Sequence, residues 1–370
     1  MKLLLDTRWL TNNPSGVGMY IKNLILGLCK HSEIFTTLFG NRDKKILPKH
    51  MQHIPFLGIK KKVFQFLWKT FHSPSIEFVT GDFPLVHYTN GTAIPQRHGK
   101  YILTVHDLAY ITFPETIEKK NLKFLQKNVP VSIKNASHII AVSDYTKDKI
   151  IKHFHISPTK ITRIYNGIDD VFFHTYTNEK RKEIRMKYGL KKKYFLSVST
   201  LEPRKDFLTQ IRAYRGLAES IRKEYDLVIA GGKGWNYQDI FDEAHKYLNT
   251  GHIKLLGYIS QEDIPLLMQE ASLYLHTSLE EGFGLSLVQA LASRCPVIAS
   301  KTSCHPEILK EYGTYFEVGN VNDLQEKIQK NVSKTPDTNI LEAGYLYAKH
   351  FRWNKMQEET ISLYKKTKNS

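Results

Sequence analysis

Thr277-Ser-Leu-Glu-Glu-Gly-Phe-Gly-Leu-Ser-Leu-Val-Gln-Ala-Leu-Ala292 follows a short apolar run, Leu273–His276, and leads into Leu285–Ala292, whose apolar spacing predicts a helix. The order is strand, glycine-bearing turn, helix. Gly282 and Gly284 let the backbone bend and approach a ligand closely. The helix start offers amide groups to an anion, and Glu281 just ahead of it can accept hydrogen bonds from sugar hydroxyls. A plain strand–turn–helix junction carrying a solvated acid would read the same way from spacing alone.

Working outward, short apolar runs alternate with longer amphipathic stretches, the rhythm of βαβ units and parallel sheets. Lys2–Leu5, Leu85–His87, Tyr101–Val105, His138–Val142 and Ile161–Ile164 read as strands, with helical patterns at Tyr20–Cys29 and Thr146–Phe154. From about Val171 to Lys193 the chain turns polar and basic and reads as a linker. A second series follows: Tyr194–Val198, Leu227–Ala230, Lys254–Leu256, Leu273–His276, Val297–Ala299 and Tyr315–Phe316. The tail from Phe351 to about Lys365 reads as a helix. With 370 residues the chain is too long for one compact core and comfortable for two. The fold class expected is α/β, two doubly wound parallel-sheet domains in tandem with a cleft between them, where ligands sit beyond the carboxyl ends of strands.

Composition narrows the partners. Three cysteines, Cys29, Cys295 and Cys304, form no Cys-x-x-Cys pair, which points to a reducing compartment rather than a disulfide framework or zinc cluster. Met1–Asp6 is too short an apolar run for a signal peptide, and no run approaches the length of a membrane span. The net charge of +17 implies an anionic partner: nucleic acid, an acidic membrane face or phosphorylated substrates. No zinc finger or ribonucleoprotein aromatic signature supports nucleic acid.

Other stretches also end strands. Ser197-Val-Ser-Thr-Leu-Glu-Pro-Arg-Lys-Asp206 aims Arg204 and Lys205 at a helix start, where a diphosphate fits: Arg grips by a fork and Lys acts as a point charge. A solvated Arg-Lys pair is the plain alternative. In Asn12-Asn-Pro-Ser-Gly-Val-Gly-Met-Tyr20, Gly16 and Gly18 would let a loop approach a phosphate or sugar, or simply form a turn. Gly231-Gly-Lys-Gly234 lacks the spacing of a dinucleotide fingerprint or phosphate-cradling loop. His106 and Asp107 close Thr104-Val-His-Asp-Leu108, where a histidine can donate to, or shuttle protons for, a sugar oxygen, or play a structural part. Ile59–Phe71 carries apolar residues at a helical period beside four lysines. That stripe packs on a sheet or lies on an anionic membrane. No Asp-x-Asp occurs and no His/Cys cluster has metal spacing, so no metal site is expected.

Taken together, Gly16-Val-Gly-Met-Tyr20, His106-Asp-Leu108, Ala141-Val-Ser-Asp-Tyr-Thr146, Asn166-Gly-Ile-Asp169, Leu201-Glu-Pro-Arg-Lys205, Leu256-Gly-Tyr258, Glu281-Gly-Phe-Gly284 and Pro296-Val-Ile298 resemble, in order, glycosyltransferase family 4, the retaining nucleotide-sugar transferases of GT-B fold. The Leu-Glu-Pro-Arg-Lys form is most similar to the mannosyltransferase-like branch that builds bacterial surface polysaccharides. The resemblance implies a first domain over residues 1–175, completed by a returning helix at 351–370, and a nucleotide-sugar domain over 190–350. It implies that Arg204 and Lys205 hold the donor diphosphate and that Glu281 contacts donor-sugar hydroxyls. The stretch Gly282, Phe283, Gly284 and Leu285 would meet the sugar or phosphate, with His106 by the sugar and Gly16 and Gly18 in a loop beneath it. The base would rest near Gly257 and Tyr258. The implied partners are a nucleotide-sugar donor, GDP-mannose favoured, and a lipid-linked oligosaccharide acceptor. No cofactor or metal is implied; the expected location is cytoplasmic, peripheral on the inner face of the membrane, with an anionic lipid surface as a further partner.

Three residues depart from the family pattern. Gln289 stands where a second Glu usually binds the ribose, Ser199 where Gly is usual, and Arg294 where Gly commonly follows the helix. Gln289 alone supports a competing reading, a GT-B scaffold of weakened catalysis acting as an assembly partner; the charge alone supports a nucleic-acid-binding protein. An amide oxygen accepts a hydroxyl hydrogen bond worth about 0.5–1.5 kcal/mol, against about 1.5–3 kcal/mol for a carboxylate. Gln289→Glu is therefore expected to tighten donor binding several-fold in a titration; an unchanged affinity would remove residue 289 from the ribose.

Overall fold

The computed structural model describes residues 1–11, 16–40, 50–55, 63–64, 66–68, 71, 73–248 and 252–369. Asn12–Ser15 of the first glycine stretch, and the lysines of the Ile59–Phe71 stripe, lie outside the described residues. Two units result: Met1–Ile111, Lys119–Gly167 and Arg352–Ser370 form the first, Thr112–Glu118 and Ile168–Phe351 the second.

The first unit is built on β1 (Lys2–Thr7), β2 (Phe35–Gly40), β3 (Met51–Pro55), β4 (Leu85–Tyr88), β5 (Lys100–Val105), β6 (His138–Ala141) and β7 (Ile161–Arg163), in spatial order β3-β2-β1-β4-β5-β6-β7. Every described pairing is parallel. Strands buried on both faces read as continuous apolar runs, as Leu3-Leu4-Leu5 does. β2 and β3 escape the sequence reading: β2 buries Thr36 and Thr37, and β3 is an edge strand with Gln52 exposed. Trp68 is buried and meets Phe39 of β2 edge-on, whereas Val63, Phe66 and Phe71 of the same stripe are exposed, so among the described residues the stripe packs on the sheet only through Trp68.

The second unit carries β8 (Lys193–Val198), β9 (Tyr225–Ala230), β10 (Ile253–Gly257), β11 (Leu273–His276), β12 (Val297–Ser300) and β13 (Thr314–Phe316), all parallel, in order β10-β9-β8-β11-β12-β13. Both sheets therefore reverse direction of winding once, between β1 and β4 and between β8 and β11. That reversal opens a crevice beyond the strand ends. The expected linker holds a helix instead, Asn178–Lys187, capped by the Thr177 hydroxyl. Its only buried residue is Ile184, while Arg181 and Arg185 reach Glu270, so it shows no apolar stripe.

The final helix, Trp353–Asn369, belongs to the first unit. Met356, Gln357, Thr360, Ile361, Tyr364 and Thr367 are buried, a single stripe at helical spacing. Gln357 donates to the Asn23 carbonyl, and Lys100 donates to that of Thr367. Gly167 lies against the backbone of Arg352 and Trp353, with no room for a Cβ. Gly167→Ala is expected to cost roughly 1–3 kcal/mol through overpacking, seen as a lower melting temperature; an unchanged one would show that this contact gives way freely.

Candidate active site

Arg204 and Lys205 follow β8, and Glu281 follows β11, the two strands that flank the winding reversal of the second sheet. Pro203 opens a 3-10 turn, Pro203–Lys205, and Asp206 ends it in the left-handed conformation (φ 48°) while its carboxylate caps the helix Phe207–Gly216 by accepting from Thr209. Asp is among the few residues that adopt this conformation readily. The turn is tied to the other loop at its carbonyls: the Leu279 amide donates to that of Arg204 (2.8 Å) and the Thr277 hydroxyl to that of Lys205 (2.8 Å).

These ties bring the three predicted residues together. Lys205 Nζ and Arg204 Nη1 both contact the Glu281 carboxylate, the latter at 3.2 Å, and Ser278 donates to it at 2.9 Å. Arg204 also pairs with Glu202 at 2.9 Å and donates to the Glu280 carbonyl at 2.5 Å. Arg204, Lys205 and Glu281 are only 12 to 13% exposed. Burial would raise the Glu281 pKa, but Lys205 and Arg204, with His276 behind them, hold it well below the usual carboxylate range. The two cations are thus already balanced by Glu202 and Glu281 before any ligand arrives, which sequence reasoning does not anticipate.

Gly284 alone of the glycine pair takes a left-handed backbone (φ 75°), starting the helix Leu285–Ala292 with no side-chain cap. Phe283 is buried with its ring edge-on to Phe351, and Gly282 and Gly284 on either side are buried too. Leu285 and Gln289 are half-buried on the helix. Gly257 ends β10 at φ 68°, its carbonyl accepting from the Gly231 amide, and Tyr258 beyond it is exposed. The Gly231–Gly234 loop runs against residues 199–202, where a Cβ on Gly234 would meet the Leu201 carbonyl at 2.7 Å; close backbone approach explains Gly231 and Gly234, while Gly232 has open space around it. Arg294 is left-handed (φ 55°), and its fork to Glu342 (2.7 Å) and stacking over Tyr345 (3.5 Å) offset the strain.

The remaining candidates lie in the first unit. Gly16 precedes the helix Val17–Leu28 at φ 48°, whereas Gly18 lies inside that helix and not in the loop expected for it. His106 follows β5 and lies 2.9 Å through Nε2 from the Thr89 carbonyl; a carbonyl only accepts, so Nε2 holds the proton and Nδ1 is the acceptor. Burial lowers its pKa, against the Thr89 bond and Asp107, which favours neutral imidazole. Asp107 instead caps Ala109.

Sequence reasoning passes over two buried histidines. His276 closes β11 with Nε2 3.9 Å from Glu281, and His305 meets its ring edge-on, centroids 4.7 Å apart. His276 stands at the end of a predicted strand, the one signal that could mark it. His305 Nδ1 donates to the Ser300 carbonyl (2.8 Å), and burial pulls its pKa from 6.5 to about 4. Above pH 6.5 both folded and unfolded forms are neutral; as pH falls toward 4 only the unfolded form takes the proton, so stability is lost in that window. The full shift amounts to on the order of 3 kcal/mol. His305→Asn is expected to flatten the fall in melting temperature between those pH values; equal slopes would place the proton elsewhere.

Among the described residues no group of three or more His, Cys, Asp and Glu is placed to hold a metal ion. The glycosyltransferase Family 4 model matches residues 14–172, and the model for glycosyl transferases group 1 matches residues 180–344. The O-antigen chain mannosyltransferase B of Escherichia coli is 24% identical over 99% of this chain and 100% of its own length. The O-antigen chain mannosyltransferase RfbU of Salmonella typhimurium is 28% identical over 64% of this chain and 61% of its own. Among solved structures, WaaG, a glycosyltransferase involved in lipopolysaccharide biosynthesis, aligns with a TM-score of 0.74 at 16% identity over 98% of this chain and 99% of its own. Anabaena HepE in complex with UDP and glucose aligns with 0.73 at 20% identity over 99% and 100%. With two family models spanning most of its length and two parallel-sheet units of the GT-B kind, the chain belongs to the family 4, group 1 glycosyltransferases.

Proposed function

We propose that this glycosyltransferase moves mannose, with retention of configuration, from a nucleotide sugar (GDP-mannose) to a lipid-linked glycan during O-antigen or related surface-polysaccharide synthesis. The names of its relatives support the sugar and the product class. The observation that carries the reading is the Arg204–Glu281–Lys205 cluster at the winding reversal of the second sheet. A diphosphate entering there meets two cations held together on one carboxylate, and positive charge gathered beside a leaving group stabilises it. As the cations turn to phosphate, Glu281 accepts from hydroxyls of the donor sugar. The bond from the anomeric carbon to the diphosphate oxygen breaks, the acceptor hydroxyl bonds from the same face, and its proton passes to the departing phosphate oxygen. His106 accepts a sugar hydroxyl at Nδ1, and the base lies by Gly257 and Tyr258. On this reading Arg204 and Lys205 do what a bound cation does elsewhere.

The net charge of +17 suits both a nucleotide sugar and an anionic lipid surface. No helix among the described residues is long and apolar enough to cross a membrane, and we assign the protein to the cytoplasmic face as a peripheral enzyme. Lys205→Ala is expected to lower turnover by about 100-fold or more, with a cooperative melt retained. Near-normal turnover would end the diphosphate role. Thermal shift with a panel of nucleotide sugars names the donor, since a ligand that binds only the native state raises the melting temperature; a panel without any shift, and without transfer, would favour an assembly role instead.

A further inference from the structure

Beneath the strand ends of the first unit runs a buried polar chain that the proposed chemistry leaves unused. The Tyr364 hydroxyl, on the final helix, lies 2.5 Å from His87 Nδ1 on β4. His87 Nε2 lies 2.8 Å from the Thr104 hydroxyl on β5, and that hydroxyl lies 3.0 Å from the Tyr20 hydroxyl. All four residues are at most 1% exposed. Burial holds the His87 pKa down to about 3, with His106 adding to the effect, so the ring is neutral and carries one proton. Its two nitrogens must then play opposite parts, one donating and one accepting. In either sense Nδ1 depends on the Tyr364 hydroxyl.

The far end of the chain reaches candidate site residues. Tyr20 stands in the first turn of the helix Val17–Leu28 that Gly16 precedes, its amide donating to the Gly16 carbonyl (3.1 Å). Its ring meets that of His106 edge-on, centroids 5.0 Å apart at 80°. Thr104 lies on the strand that ends beside His106. A ring held at its hydroxyl tip cannot swing about its Cα–Cβ bond out of contact without breaking a buried hydrogen bond.

We propose that Tyr364 is a positioning residue: through His87, Thr104 and Tyr20 its hydroxyl fixes the orientation of the His106 imidazole and of the Gly16 turn. The inference rests on the reading of His106 as a donor-sugar contact, and its test separates the two. With histidine labelled by nitrogen-15 in the full chain, the ring signals absent from His106→Ala belong to His106. In Tyr364→Phe those signals are expected to shift, with a cooperative melt kept; unmoved signals overturn the proposal. With GDP-mannose as donor, Tyr364→Phe is expected to lower kcat roughly ten-fold, with donor KM within about two-fold, as misorientation of a held group does. It is expected to add nothing in the His106→Ala background. An equal loss in both backgrounds marks a merely structural role and overturns the inference. Wild-type turnover in His106→Ala itself overturns the reading of His106 and the catalytic half of the inference, while the ring signals still decide the positioning. Tyr20→Phe removes a hydroxyl from the opposite end and is expected to repeat the pattern, so a Tyr364 variant that fails to fold leaves the question decidable.

Discussion

One buried carboxylate organises the second unit's site. Glu281 is nearly enclosed and ionised, and the two cations that touch it, with the Ser278 hydroxyl, make that tolerable. Taking one partner from such a buried set costs about 3–5 kcal/mol, because the charge left behind has lost both water and its counterion. The hydrogen bonds from the Leu279 amide and the Thr277 hydroxyl to the Arg204 and Lys205 carbonyls hold those charges at contact distance. The loops therefore cannot wander without separating charges in a poorly solvated space. An incoming anion meets no vacant cation; it exchanges with Glu281 for Arg204 and Lys205. Anion selectivity then depends on the ligand offering more than one carboxylate does, which a diphosphate, with two charged groups, can.

How far the sequence reveals this varies by element. Strands of the second sheet are legible because they are short apolar runs buried on both faces, as Leu227–Ala230 is. β2 is hidden because buried Thr36 and Thr37 look like loop chemistry, and the helix 178–187 because Ile184 is its single buried position. Arg204, Lys205 and Glu281 can be picked from their places after strands. Their mutual pairing cannot, since it depends on β8 and β11 lying side by side although they are distant in sequence. His276 and His305 are missed for the same reason. Arg294 has no explanation in one dimension, because Glu342 and Tyr345, which hold it, come much later in the chain.

Low identity over full length is itself informative. A chain that keeps only 24% identity with a curated mannosyltransferase yet aligns from end to end shares its architecture, while side chains around the ligand are free to differ. At one crossing in the second unit the Ser199 carbonyl lies so near Gly231 that a Cβ there has no room.

The helix Trp353–Asn369 has an implication for how the protein is made. It fills a face of the first unit, whose other members begin at Met1. The ribosome delivers N-terminal segments first, at about 5–20 residues per second. The opening strands and helices must therefore wait, with their apolar undersides uncovered, while the entire second unit is translated. During that interval the surface that Met356, Ile361 and Tyr364 later cover has no partner.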